Sequence, residues 1–188
     1  MKTLLVAILA FGVGAGATRP LMAQVAVVEA GAGVALPVGH LAARRAAGPY
    51  AEAGATLGGP ARRVRLRLAA DAAWLAGRTV AVSGPAGSVA YGPVRVLGAH
   101  AYALAGSRGP VRAYGLAGLG LFRASGATEH TPSVRTGVSA GAGAGVEFPV
   151  RGRLRASVEA RVEGLLADYA VGGFQTPTFW PVAARLHF

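Results

Sequence analysis

The stretch LRASVEARVEGLL, Leu154 to Leu166, sorts its charges cleanly under one backbone geometry only. Leu154, Ala156, Val158, Ala160, Val162 and Leu166 alternate with Arg155, Ser157, Glu159, Arg161 and Glu163, and Gly164 continues the apolar phase. A helix advances about 100° per residue and would scatter the charges around its circumference. A strand points successive side chains to opposite faces and keeps all five polar residues together. A period of two therefore governs this segment, and no part of the chain after residue 24 shows a sustained 3.6-residue apolar pattern.

The same period divides the rest of the chain into eight predicted strands: 25–38, 49–58, 62–75, 88–105, 111–124, 134–148, 154–167 and 177–188. Tight turn signals stand at Gly58-Gly59-Pro60-Ala61, Gly106-Ser107-Arg108-Gly109 and Pro149-Val150-Arg151-Gly152. Longer connections fall at 39–48, 76–87, 125–133 and 168–176. Strict alternation of short and long connections is what an up-and-down antiparallel meander produces, and an even strand number brings both termini to one end. The fourth strand blurs its phase at Arg95, which predicts a bulge near Gly92-Pro93.

The glycine-rich GVSAGAGAGVEF, residues 137 to 148, belongs to this scheme. Val138, Ala140, Ala142, Ala144, Val146 and Phe148 form one face; Gly137, Ser139, Gly141, Gly143, Gly145 and Glu147 form the other. Glycine weakens a strand unless something must come close to it. Here it leaves room on the polar face for neighbouring arginines and glutamates.

Which face is inside decides what the protein is. A soluble sandwich or lipocalin-like barrel buries the apolar face. A membrane barrel inverts this, with lipid outside and a polar lumen. The polar face here is crowded with glycine and with charges of both signs, as a narrow filled lumen requires. The apolar face runs in long stripes of small and medium residues, with few aromatics to fill a shared soluble core. The expected fold class is thus all-β, an eight-stranded antiparallel up-and-down transmembrane β-barrel with short periplasmic turns and longer outer loops.

The N-terminus supplies the route. Lys2, the apolar run Leu4 to Val13 and the small residue Ala23 read as a secretory signal peptide over 1–23, leaving residues 24–188 as the barrel domain. The chain has no cysteine, so an exported protein of this size must hold together without disulfides. Removing Lys2 and Arg19 leaves arginine as the only basic residue type apart from histidine, still in excess over 8 acids. That charge could suggest nucleic acid, but export and the placement of arginine on one strand face argue against it.

The sequence resembles the small eight-stranded bacterial outer-membrane β-barrels, similar to the membrane domain of OmpA and to opacity-type porin-like proteins. The resemblance covers the whole mature chain. Its carriers are the signal peptide, the eight alternating strands, the Gly/aromatic strand Ala113-Tyr114-Gly115-Leu116-Ala117-Gly118-Leu119-Gly120, and the terminal Val182-Ala183-Ala184-Arg185-Leu186-His187-Phe188. It implies that the last strand is a sorting signal for the barrel-assembly machinery, carried by Leu186 and Phe188. Ala183 and Pro181 depart from the glycine and polar residue usual there. It also implies aromatic girdles, with Trp74, Tyr91 and Trp180 at the outer interface and Phe148 and Phe188 at the inner one.

An eight-stranded barrel is about wide enough for side chains to fill it, so its lumen charges must be paired. The expected network comprises Glu29, Glu52, Arg67, Glu147, Arg155, Glu159, Arg161, Glu163 and Arg185. A turn centred on Gly59-Pro60 sets Glu52 across from Arg67. The Val150-Arg151-Gly152 turn brings Glu147 near Arg155. Barrel closure brings Glu29 towards Arg185, with Glu159 alongside. Arg44, Arg45, Arg78 and Arg123 fall near the outer rim, where guanidinium groups suit the phosphates of lipopolysaccharide. Ser157, Glu159 and His187 share the lumen face, whereas the resemblance places the Ser, His and Glu of lipid-modifying barrels on the lipid-facing surface. The four histidines have no metal-ligand spacing, and no cofactor, catalytic or metal site is expected.

The expectation is a non-enzymatic, monomeric protein of the cell outer membrane, with a charge-paired filled lumen. Its role would be envelope structure, surface interaction or slow permeation of small solutes. Its partners would be outer-membrane lipid, lipopolysaccharide and, during biogenesis, the barrel-assembly machinery. A lipid-modifying barrel enzyme and a soluble periplasmic lipocalin-like binder are the alternatives.

Overall fold

A computed structural model describes residues 26–58, 62–81, 87–128, 131–166 and 178–188. The predicted signal peptide and the 168–176 connection lie outside the described residues. The elements, in chain order, are β1 (Ala26–Val38), α1 (His40–Arg44), β2 (Arg45–Ala46), β3 (Gly48–Leu57), β4 (Val64–Ala81), β5 (Ser88–Tyr91), β6 (Val94–Gly106), β7 (Arg112–Thr128), β8 (Thr131–Arg151), β9 (Leu154–Leu166) and β10 (Thr178–His187).

Eight long strands form the wall. Each pairs antiparallel with its sequence neighbour, and β1 also pairs with β10, Glu29 opposite His187 and Val34 opposite Val182. The sheet thereby closes on itself and leaves none of the eight with an open edge. The short β2 and β5 add to the far end of β4, which runs past the expected boundary at 75. The bulge expected at Gly92-Pro93 is not found: the fourth strand is interrupted there, but Arg78 opposite Tyr91 and Leu75 opposite Val94 keep one register with β4 across the gap. Proline has no N–H for the ladder, so the chain breaks into β5 and β6 there. Beyond the break Val96 is buried and Arg95 is exposed.

The two ends of the barrel differ. At the turn end the hairpins are short, and Gly152 (φ 58°) opens the two-residue turn between Arg151 and Leu154. At the loop end the connections are longer and partly built as strand. The β7–β8 ladder continues to Thr128 opposite Thr131, past the limits read from the sequence. A membrane crossing takes about 9–11 residues per strand. The 17 residues of β7 and 21 of β8 therefore project beyond such a span.

Polarity is inverted relative to a soluble fold. Leu66, Leu119, Leu121, Val158 and Leu186 are exposed on the outer wall, whereas Glu29, Glu52, Arg67, Glu159, Arg161, Glu163 and Arg185 are each at most 5% exposed. The lumen is filled in layers. Towards the loop end Ala35, Tyr50, Ala73, Leu75, Val96, Phe122, Leu165, Phe179 and Ala183 form an apolar cluster. Charged residues fill the rest, interrupted by a small cluster of Tyr102, Leu104, Tyr114 and Leu116.

The glycine-rich segment is the middle of β8, with its glycines facing in. A Cβ on Gly141 would stand 2.9 Å from a Glu163 carboxylate oxygen, and one on Gly145 would stand 2.6 Å from the Tyr114 hydroxyl. These glycines are required by close approach, because neighbouring strands send long polar side chains into the space a methyl group would take.

Candidate functional site

The lumen is the site to which the sequence points, and its geometry follows from register. On β9, Ser157, Glu159, Arg161 and Glu163 point inward in one row, each almost fully buried. Strands β3, β4, β6 and β10 send partners across the barrel to meet that row. Arg161 lies at the centre. Its Nη1 donates to Glu52 Oε2 at 2.6 Å and to Glu159 Oε1 at 3.1 Å. Its Nε lies 3.3 Å from Glu163 Oε1, and its Nη2 lies 3.6 Å from Asp71 Oδ2. The guanidinium also sits over the rings of Tyr50 and Tyr102, where the ring quadrupole attracts a cation.

Glu159 is the matching anionic centre. Arg67 Nη1 donates to it at 2.7 Å and the Tyr114 hydroxyl at 2.8 Å, and Arg185 Nη2 lies 2.9 Å away. Arg185 Nε donates to Glu52 at 2.5 Å, and Tyr50 donates to Glu52 at 2.7 Å. Tyr102 donates to Glu163. Ions taken from water cost several kcal/mol each unless each is met by opposite charge and hydrogen bonds. In the central layer Glu52, Glu159, Arg67, Arg161 and Arg185 each meet at least two groups of opposite charge.

Two expected pairings are corrected. Glu52 stands opposite Asp71, and Arg67 stands opposite Thr56, because the β3–β4 register is centred two residues beyond the one that a turn at Gly59-Pro60 would set. The offset is two residues on each strand, so both side chains keep their inward phase. Glu29 meets Arg67, at 2.5 Å, rather than Arg185. Arg185 instead bridges Glu52 and Glu159, and Arg67 links Glu29 to Glu159, so one network holds all of them. The structure places Glu147 in an ion pair with Arg155.

Several lumen residues were missed as network members. Asp71 shares the inward face of β4, but the misplaced turn left it without a partner. His100 lies on β6, where the outward Arg95 obscured the phase. Its Nε2 is 3.1 Å from Asp71 Oδ2 and its Nδ1 is 3.3 Å from Ser139 Oγ. Asp71, His100 and Glu163 each offer a ligand atom within 4.8 Å of the others. Arg161 already stands against both of these carboxylates and supplies the positive charge that a metal ion would bring.

At the turn end Ser157 Oγ lies 2.9 Å from His187 Nε2, and His187 Nδ1 lies 3.1 Å from Glu29 Oε2. This order of hydroxyl, imidazole and carboxylate is that of a nucleophilic triad, with Glu29 in the place expected of Glu159. Catalysis also needs room for a substrate at the nucleophile. Ser157 is 1% exposed and faces inward among charged side chains, so its hydroxyl serves to satisfy buried groups.

The outer wall carries the remaining expected residues. Leu186 and Phe188 are exposed on it, and the Phe188 amide donates to Val28 O at 2.9 Å. Trp74 and Trp180 are exposed towards the loop end and Phe148 towards the turn end. Arg44 and Arg45 flank the Tyr91 ring, and Arg78 donates to Ala42 O at 2.8 Å. Arg45 is buried, while Arg44, Arg78 and Arg123 are exposed. Arg95, not singled out from the sequence, lies over the Trp74 ring. It is one alternate position along β6 from the residue opposite Arg123.

No protein-family model matches the sequence, and no curated protein matches it. Solved structures do match in fold. Neisserial surface protein A shares 18% identity at a TM-score of 0.57, over 86% of this chain and 95% of that one. A major outer membrane protein from Thermus thermophilus shares 13% at 0.54, over 88% and 100%. The N-terminal β-barrel domain of Pseudomonas aeruginosa OprF shares 12% at 0.53, over 88% and 98%. A closed ring of eight antiparallel strands is the architecture shared with these structures, and the chain has the fold of the small eight-stranded outer-membrane β-barrels.

Proposed function

We propose that this chain is an exported, non-enzymatic β-barrel protein of the outer membrane, serving envelope structure or surface interaction. The observation that carries the reading is the inverted polarity. An apolar wall exposed all around a barrel is a liability in water, where contiguous apolar patches invite association, and it is the required surface in lipid. A soluble lipocalin-like binder would need the opposite arrangement. The apolar cluster at the loop end favours a structural role over permeation, since a solute would have to displace it. The sealed position of Ser157 favours a non-enzymatic reading.

In this reading the signal peptide 1–23 directs export, and Leu186 and Phe188 present the assembly signal to the barrel-assembly machinery. The turn end faces the periplasm and the projecting loop end faces outward. Arg44, Arg78 and Arg123, with Arg95, then lie where lipopolysaccharide phosphates meet the wall. Arg95 beside Trp74 suits that boundary, because an interfacial aromatic and a cation both favour headgroup depth. Membrane fractionation combined with heat-modifiable gel mobility tests the reading. The expected result is an outer-membrane band whose mobility shifts on boiling, and a soluble protein without a shift would overturn it. Neutralising Arg95 and Arg123 together should weaken lipopolysaccharide co-purification while leaving the mobility shift intact.

A further inference from the structure

Charge is divided unevenly along the lumen. In the central layer five carboxylates, Glu29, Glu52, Asp71, Glu159 and Glu163, meet three guanidinium groups, Arg67, Arg161 and Arg185. His100 and His187 stand against three of those carboxylates, Asp71, Glu163 and Glu29. At the turn end the balance reverses. Arg65, Arg112 and Arg155 all converge on the single carboxylate of Glu147.

A cavity of about 650 Å³ opens at that end. Its walls include Arg65, Arg112, Arg153, Arg155, Glu147 and His187. Four arginines and one acidic side chain, Glu147, therefore line a space large enough for a small ligand. Arg112 Nη1 lies 3.6 Å from Glu147, beyond hydrogen-bonding distance, and is buried without an acceptor. A buried donor that lacks its acceptor is costly, and three cations sharing one anion repel each other. The turns around the mouth add Arg62, Arg63, Arg108 and Arg151, all exposed, and no acid among the described residues.

We propose that this vestibule is a binding site for a phosphate-bearing anion. Guanidinium groups present planar pairs of N–H donors that match phosphate oxygens. A phosphomonoester carries close to two negative charges at neutral pH, which fits the excess of cations better than a single carboxylate does. The basic rim raises the local concentration of such anions at the mouth. The phosphate can come from a free solute or from the headgroup of an anionic phospholipid in the adjoining leaflet. This inference goes beyond the proposed envelope role, and its headgroup source rests on the membrane placement in that reading.

The test is titration with pyrophosphate of the full barrel folded in zwitterionic phosphatidylcholine nanodiscs at low ionic strength, read by phosphorus NMR and calorimetry. A second series uses discs containing phosphatidylglycerol. Saturable pyrophosphate binding that weakens at least tenfold in Arg112→Gln is expected. Arg153→Gln, at an exposed turn position, should weaken it several-fold without affecting folding. Arg135→Gln, at the exposed loop end of β8, should leave binding unchanged. Pyrophosphate binding that persists in phosphatidylglycerol supports a free solute as ligand. Binding seen in phosphatidylcholine and suppressed by phosphatidylglycerol supports a headgroup, provided that Arg112→Gln loses it too. Absence of saturable binding in the phosphatidylcholine discs would overturn the proposal. So would an unchanged affinity in both Arg112→Gln and Arg153→Gln when each retains heat-modifiable mobility.

Discussion

The two ends of the lumen are built from opposite materials. Towards the loop end Leu75, Val96, Phe122, Leu165 and Phe179 close the barrel with apolar side chains. At the turn end arginines surround an open vestibule. Between them lies a dense layer of ion pairs. One strand pattern yields both ends, because inward positions alternate along every strand whatever residue occupies them. Among the described residues the barrel is asymmetric along its axis: apolar side chains fill the lumen on the side of its long connections, and a cavity opens on the side of its short turns.

Substitutions can break that comparison, and the largest effect should come from the central layer. Arg161→Met leaves Glu52, Asp71, Glu159 and Glu163 without their shared cation. Breaking a buried ion pair costs about 3–5 kcal/mol. Urea unfolding in detergent or lipid should show a loss of that order, or no folded band at all; a loss below ~1 kcal/mol would mean that water reaches the layer.

The apolar seal comes next. Leu75→Ala should cost about 2–5 kcal/mol. Combined with Phe179→Ala it should bring measurable conductance to a silent barrel in planar bilayers. If the double variant stays silent, the charged layer and not the apolar cluster is the barrier.

Gly145→Ala places its new methyl against the Tyr114 hydroxyl and should cost about 1–3 kcal/mol by overpacking. Adding Tyr114→Phe should recover part of the loss. No recovery would show that the clash lies with the backbone of β9. Ser157→Ala removes a buried hydroxyl and should cost about 1 kcal/mol. Any ester-hydrolysing activity of the wild type that vanished in this variant would reverse the non-enzymatic reading. Arg153→Gln should change stability by less than about 0.5 kcal/mol, so its effect on anion binding can be read without a folding correction.

Much of the fold was legible in the order of residues. Val28 to Leu36, Val64 to Trp74 and Leu154 to Leu166 declare their strands because side-chain alternation is a local property. The glycines at 141, 143 and 145 were legible as inward-facing for the same reason. The site was legible in membership more than in pairing. Glu159 and Arg161 are buried in ion pairs on the inward face of β9, as alternation alone would place them, yet Glu52 faces Asp71 where Arg67 was expected. A hairpin register depends on where its turn forms, and a slip of two residues on each strand leaves the alternation unchanged. His100 escaped because Arg95, an exposed arginine on the outer wall, blurred the alternation of its strand.

The sequence by itself therefore determined strand number, strand facing and which residues share the polar side. Each of these follows from geometry within a single strand. Tertiary structure alone decided which charges meet. Arg161 and Glu52 are 109 residues apart, and Arg67 and Glu159 are 92 apart. Their contact depends on ring closure and on the stagger between strands, which no local pattern encodes. The excess of arginine at the vestibule is of the same kind, since it appears only when the inward ends of β4, β7, β8 and β9 are brought around one opening.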